Sequence, residues 1–291
     1  MARLFDNYHE QFAEYQPETL QDRMNAYEED SKQFDEKQTG ELMAEFLTAL
    51  DRGDIGTVDE DGSAVAWVKQ GILNAFDLEN MERTDGYQSY HDNLTTRPTF
   101  DFEERGIRNT DNTTIRAGAY MGDNSSIMPQ GFVNVGAHVG EGTMIDGGAT
   151  AGSACYIGEY SHIGDGATIG GVLDPAEKDP VVIGDEVSVG AGSRITQGMT
   201  VGDNVEIGEN TIVNPGITVY HVYPEEGDIE VDEIKGVIPD NTKTLQRYER
   251  SATSDLVDHQ QFSPVVDALS KDLPGVDDDV ELRDTLREFE E

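Results

Sequence analysis

Few side chains in this sequence join a reactive type to an unusual setting, and Asp146 is the foremost of them. It lies in the run Glu141-Gly-Thr-Met-Ile-Asp146-Gly-Gly-Ala-Thr150, just after an aliphatic residue and just before a glycine pair. A carboxylate there could hold an amine or orient a water, or it could close an Asx turn on its own backbone. Arg116, Lys178 and Arg194 are the only basic residues between Asn109 and Tyr220. An arginine can clamp a carboxylate or phosphate through paired hydrogen bonds, or simply pair with a surface acid. A lone histidine among His138, His162 and His221 could serve as base for an amine nucleophile. A three-histidine metal site would need two of them close in sequence, a spacing not present, so no metal is expected. Cys155, the only cysteine, excludes an intrachain disulfide and reads as a packed small residue, not a nucleophile. No glycine-rich phosphate loop sits between a strand and a helix.

The elements that must position these groups follow a six-residue rhythm. Aliphatic residues recur at Ile115, Met121, Ile127, Val133, Val139, Ile145, Ala151, Ile157, Ile163 and Ile169. The rhythm breaks across Gly171 to Val182 and resumes at Ile183, Val189, Ile195, Val201, Ile207, Val213 and Val219. Two residues before most of them stands a small one, Ala119, Ser125, Ala137, Thr143 and Cys155 among them. A period of six fits neither a helix nor a plain strand; it is the mark of a parallel β-helix. Three short strands would make one triangular coil of about 18 residues, giving about six coils. The glycines after the aliphatic residues suit turn positions that require positive φ. His138 and His162, 24 residues apart, are expected on equivalent corners of different coils. The break, with Pro175 and Pro180, should leave the triangle as an external loop, a usual place for a site.

The flanks are less regular. Thr39 to Asp51 predicts a helix capped by Thr39, and Ala64 to Phe76 predicts a second one around Trp67. Asn93 to Arg108 reads as an extended connector, and Val237 to Asp240 as a closing strand. Helical character is expected over Thr242 to Arg250, Val265 to Leu273 and Val280 to Phe289. The expected fold is therefore mainly β: a left-handed parallel β-helix over 109–222, preceded by a mainly helical domain over 1–108. A C-terminal capping segment and acidic tail would fill 223–291. With 59 acidic and 20 basic side chains the formal charge is −39. Such a chain repels nucleic acid and anionic membranes. Its self-repulsion, relieved by salt, points to a halophilic, salty cytoplasm. No apolar run reaches the ~20 residues of a membrane helix, and the polar start carries no signal region, so a soluble cytoplasmic protein is expected.

Some of the wording is specific. Met144-Ile-Asp-Gly-Gly-Ala-Thr-Ala-Gly-Ser153, Ile157-Gly158, His162 and Ile169-Gly-Gly-Val-Leu-Asp-Pro175 resemble the tetrahydrodipicolinate N-succinyltransferase family. So do Met128-Pro129, Phe132-Val-Asn-Val-Gly-Ala137, the Trp67-Val-Lys-Gln-Gly-Ile-Leu73 helix and Gly106-Ile-Arg108. The resemblance spans about residues 40–200. It implies a homotrimeric acyltransferase of lysine and diaminopimelate biosynthesis, with sites between adjacent solenoids. Succinyl-CoA would be a cosubstrate, with no permanently bound cofactor, and the acceptor would be a small dicarboxylate amine, L-2-amino-6-oxopimelate. The resemblance implies that Arg108 and Asp146 bind substrate, with Asp146 also catalytic. It also sets Arg194 after Gly190-Ala-Gly-Ser193, where the family carries a glutamate, so that Arg194 becomes a substrate-binding candidate. That change, with Gly147-Gly148 at the corner, leaves open another CoA-dependent N- or O-acyltransferase, or a non-catalytic scaffold.

Overall fold

A computed structural model describes residues 17–76, 81–85, 88–92, 94, 96–99, 101–226, 228–251, 261–273 and 276. The hexads build a left-handed parallel β-helix of triangular section. Two-residue strands stack into three parallel faces of six coils each. The first face runs through Thr114–Ile115, Phe132–Val133, Thr150–Ala151, Thr168–Ile169, Arg194–Ile195 and Ile212–Val213. The second runs through Tyr120–Met121, His138–Val139, Tyr156–Ile157, Val182–Ile183, Thr200–Val201 and Val237–Ile238. The third runs through Arg108–Asn109, Ser126–Ile127, Met144–Ile145, His162–Ile163, Ser188–Val189 and Glu206–Ile207.

The cause is local. In every pair after Arg108–Asn109, whose residues are both exposed, the second residue points inward: Met121, Ile127, Val139, Ile145, Ile157, Ile163 and Ile195 are all fully buried. Each such side chain contributes about 1.5–3 kcal/mol of burial. The small residues two places earlier, Ala119, Ala137, Ala149, Cys155 and Ala167, pack beneath the same corners. Positive φ falls elsewhere than expected. It recurs three residues before the aliphatic position, as at Asn112, Gly118, Asn124, Gln130, Gly136, Gly142 and Gly148. The glycine after the aliphatic residue serves space instead. A Cβ on Gly122 would lie 2.5 Å from the Glu141 nitrogen of the next coil. The corner between the second and third faces carries one acid per coil: Asp123, Glu141, Glu159, Asp185, Asp203 and Asp240. Within it, Asp185 accepts from the Glu159 N–H (2.7 Å), Asp203 from Asp185 (2.8 Å) and Asp240 from Asp203 (3.0 Å).

Before the solenoid, the described residues form three α-helices, α1 (Pro17–Glu29), α2 (Glu36–Arg52) and α3 (Ala66–Phe76). Helix α2 starts three residues earlier than expected, because Asp35 and Gln38 form a reciprocal capping box. Their core of Leu20, Met43, Phe46, Leu47, Val68 and Ile72 extends to Ala117 and Val135 of the solenoid. Thr57 Oγ1 donates to the Gly136 and Ala154 carbonyls, and Asp51 Oδ1 accepts from Gly118 N (2.7 Å). The connector is not extended throughout: residues 101–106 form turns. The loop after Ile169 does leave the triangle, and it docks on the helices. Leu173 joins their core, and fully buried Lys69 donates to the carbonyls of Pro175 (3.3 Å) and Lys178.

At the far end, Val237–Ile238 closes the second face as expected. The helices expected over Thr242 to Arg250 and Val265 to Leu273 are instead strands, Thr242–Ser251 and Gln261–Ser270. They pair antiparallel, and the first continues the third face through Glu206–Lys243. Gln261–Ser270 runs parallel to Thr218–Glu225, which forms a hairpin with Asp228–Ile234. Val266 and Ala268 enter the solenoid core, burial that a two-sided strand supplies and a surface helix would not. The helix expected over Val280 to Phe289 lies outside the described residues. Among the described residues no helix is long and apolar enough to cross a membrane.

Candidate active site

Asp146 begins the corner that leads from the third face to the first. Its N–H donates to the Ile163 carbonyl (2.9 Å), and its carbonyl accepts from Ala149 N, so the main chain is fixed on both sides. Oδ1 accepts from the Gly147 N–H at 2.7 Å. The carboxylate does bond its own main chain, but one residue on and not two as the expected Asx turn requires, and it uses only one oxygen. Oδ2 faces His162 Nε2 at 3.4 Å. The two side chains remain accessible, His162 at 49 % exposure and Asp146 at 34 %.

Coil register explains the meeting. His162 pairs with Met144 on one side and Ser188 on the other, so it rises from the third face next to the corner that Asp146 opens. The glycine pair keeps that corner bare. A Cβ on Gly147 would lie 2.9 Å from Asp165 Oδ1, and Gly148 takes φ +65° with open space around it. The result is an open corner of glycine backbone with the Asp146 and Asp165 carboxylates and the His162 imidazole at its edge.

The other predicted residues stand apart. Arg108 is exposed on the third face, in register with Ser126 and hence two coils from Met144, about 10 Å along the axis. Arg194 is exposed on the first face, two coils beyond Thr150 in the opposite direction. Within one chain neither arginine reaches Asp146. Arg116 lies over the Phe76 ring and serves the packing of the helices. Lys178 is exposed on the docked loop.

His138 and His162 do not occupy equivalent corners. A coil takes eighteen residues, so 24 is one coil plus one face, and His138 sits on the second face. There its ring stacks between Tyr120 (4.5 Å) and Tyr156 (4.6 Å), and burial pushes its imidazole down to about 4. His221 stacks on Tyr223 in the terminal hairpin, where burial lowers it and Asp232 partly opposes that. Among the described residues no three metal-ligating side chains converge. Cys155 is fully buried, and desolvation pushes its thiol up to about 12, the behaviour of a packing residue. Cavities among the described residues lie elsewhere. One of about 250 Å³ is lined by Trp67, Gln70, Asn74 and Glu177; one of about 330 Å³ is lined by Val58, Glu60, Tyr156 and Val182.

What the sequence reading missed is the pairing itself. His162 was one of three candidate bases and Asp146 a separate acid. Their separation of sixteen residues is one coil less two, a signal visible only once the coil length is counted as eighteen.

Residues 136–171 match the family described as Bacterial transferase hexapeptide (six repeats). The chain is 38% identical over 169 residues to 2,3,4,5-tetrahydropyridine-2,6-dicarboxylate N-succinyltransferase of Mannheimia succiniciproducens, covering 55% of this chain and 61% of that one. Over 170 residues it is 38% identical to the protein of the same name from Thiobacillus denitrificans, covering 55% and 62%. It thus spans about three-fifths of the length of these curated relatives. Among solved structures, UDP-N-acetylglucosamine acyltransferase from Campylobacter jejuni is 25% identical over 38% of this chain and 48% of that one, with a TM-score of 0.35. The resemblance read from the sequence is borne out: over more than half its length the chain is similar to tetrahydropyridine-dicarboxylate N-succinyltransferases and carries the repeats of hexapeptide transferases.

Proposed function

We propose that this chain is a CoA-dependent N-acyltransferase that moves the succinyl group of succinyl-CoA to the amine of L-2-amino-6-oxopimelate. The observation that carries the reading is the likeness over 169 residues to curated N-succinyltransferases. The exposed Asp146 carboxylate, at a bare corner of the solenoid, suits it. The amine nitrogen attacks the thioester carbonyl directly, so no covalent enzyme intermediate is required. Backbone N–H groups at the turns are suited to the oxyanion that develops. Arg108 and Arg194 supply the cations that a dicarboxylate acceptor and a polyanionic donor need. Each stands two coils from Asp146, so the reading includes a homotrimer in which one copy's arginine serves a neighbour's corner. The setting is a salt-rich cytoplasm, in keeping with the charge of −39.

The test is thiol release from succinyl-CoA with and without 2-aminopimelate in molar salt. Acceptor-dependent release is expected, and its absence refutes the reading. Arg194→Glu should raise the KM for donor or acceptor; an improved rate would show Arg194 misassigned. A second reading, a different acyl donor or acceptor on the same scaffold, is favoured by Arg194 and Gly147-Gly148 where the family has other residues. A panel of acyl-CoA esters and amine or hydroxyl acceptors separates the two. Failure to bind any CoA ester in calorimetry would leave a non-catalytic scaffold.

A further inference from the structure

We infer that His162 is the proton acceptor for the attacking amine, acting through Nδ1, and that Asp146 is the residue that positions it. This rests on the acyl-transfer reading above. An ionised carboxylate only accepts hydrogen bonds, so the ring nitrogen facing Asp146 Oδ2 must carry the hydrogen. Neutral His162 is then the Nε2–H tautomer, with its basic lone pair on Nδ1. Asp146 cannot swing away freely, because its other oxygen is tied to the Gly147 N–H and its main chain is bonded on both sides. The 3.4 Å separation is long for a hydrogen bond. Such contacts often tighten when substrate closes the site.

Access and elimination point the same way. The imidazole is half exposed, beside a corner that Gly147 and Gly148 leave bare. Its neighbours along the face, Met144 and Ser188, are uncharged. His138 is locked between two tyrosine rings, and Cys155 is buried with a thiol pushed up to about 12. Arg194 stands where the resemblance places a carboxylate, and a guanidinium cannot accept a proton. The proton therefore has a route that needs no glutamate. The amine nitrogen forms its bond to the thioester carbon and passes one proton to Nδ1. The carbon–sulfur bond then breaks, and the departing thiolate takes that proton from the imidazolium. Amide and free CoA thiol leave, and neutral His162 is restored.

The experiment pairs kinetics with the tautomer. In the wild type, nitrogen-15 NMR of the imidazole at neutral pH should show hydrogen on Nε2 of His162. Asp146→Asn presents an NH₂ group to Nε2 and should turn the ring over to the Nδ1–H form. Both His162→Gln and Asp146→Asn should lower kcat by ~10²–10⁴, with the KM values for succinyl-CoA and 2-aminopimelate within about threefold of wild type. Added imidazole should restore part of the rate to His162→Ala. His162 is half exposed, so unchanged circular dichroism and melting temperature of the variants are expected. Wild-type turnover that survives in His162→Gln overturns the proposal and leaves acyl transfer standing. So does an Nδ1–H tautomer in the wild type, a measurement that does not depend on how well any variant folds. No turnover by the wild type with any donor and acceptor overturns both.

Discussion

The ring of His138 offers a sharp test of how the solenoid handles charge. Stacked between Tyr120 and Tyr156, its imidazole is pushed by burial from 6.5 down to about 4. The folded value lies below the unfolded one, so on acidification the unfolded chain takes up the proton first. The associated stability is fully present above 6.5 and is lost as pH falls towards 4. A drop of about 2.5 units corresponds to ~3.4 kcal/mol in full, of which ~2 kcal/mol is lost by pH 5. The partly exposed edge of the ring makes this an upper value. His138→Phe keeps a ring in the stack and removes the titration. Unfolding free energy should be measured by urea titration with circular dichroism, at pH 7 and pH 5, in constant molar NaCl. Many surface carboxylates also respond to pH, so the informative quantity is the difference between the two proteins. Wild type should lose about 1–2 kcal/mol more than His138→Phe between those pH values. Equal responses, within about 0.5 kcal/mol, would refute the view that the stack excludes water from His138.

Further outcomes follow from other sites. Cys155, buried with its thiol pushed up to about 12, should resist iodoacetamide in the folded protein and react fully in urea; labelling of the native chain would contradict the packing. Gly122→Ala places a Cβ 2.5 Å from the Glu141 nitrogen and should cost about 2–4 kcal/mol, read as a lowered urea midpoint. Lys69→Met leaves the Pro175 and Lys178 carbonyls without their donor and should cost about 1–3 kcal/mol, with faster proteolysis within residues 171–181. Burial lowers the Lys69 value below 10.5, so the wild type should also gain stability as pH rises towards 10.5, a slope that Lys69→Met should lack.

The solenoid was legible because every coil asks the same question of every sixth residue. Only an aliphatic side chain fits the axis, and the pattern survives whatever the outward residues are. Asp146 was legible as a corner acid for the same reason. Its partner was not, because hexads count faces while contacts between coils count eighteen. Treating six as the repeat put His138 and His162 on one corner, and the same slip hid the approach of His162 to Asp146. The terminal strands were misread for a different reason. Val265 to Ser270 is buried on both sides, Asp267 and Ser270 included, so it shows no alternation and the period test is silent. In Thr242–Ser251 the buried Thr242 and Thr244 do alternate with Lys243 and Leu245, a two-residue signal outweighed by polar residues that also suit a helix. Lys69 was invisible as an anchor, since its partners are backbone carbonyls more than a hundred residues away.

The acid-bearing edge has a consequence of its own. Asp123, Glu141, Glu159, Asp185, Asp203 and Asp240 are eighteen or more residues apart in sequence, and folding sets them one coil apart, ~4.8 Å. At that spacing neighbouring charges repel by ~0.9 kcal/mol even at the dielectric constant of water, above thermal energy. Arg105 neutralises the first of them, Asp123, at 2.7 Å; the rest form a short polyelectrolyte rod, related in kind to the closely spaced phosphates of duplex DNA, which gather cations from dilute solution. The unfolded chain has no such line of charge. Folding therefore takes up monovalent cations as a reactant, and the folding constant should rise in proportion to a power of salt concentration. The slope of log K against log [NaCl] would count those ions, and neutralising the edge with Asn and Gln should flatten it.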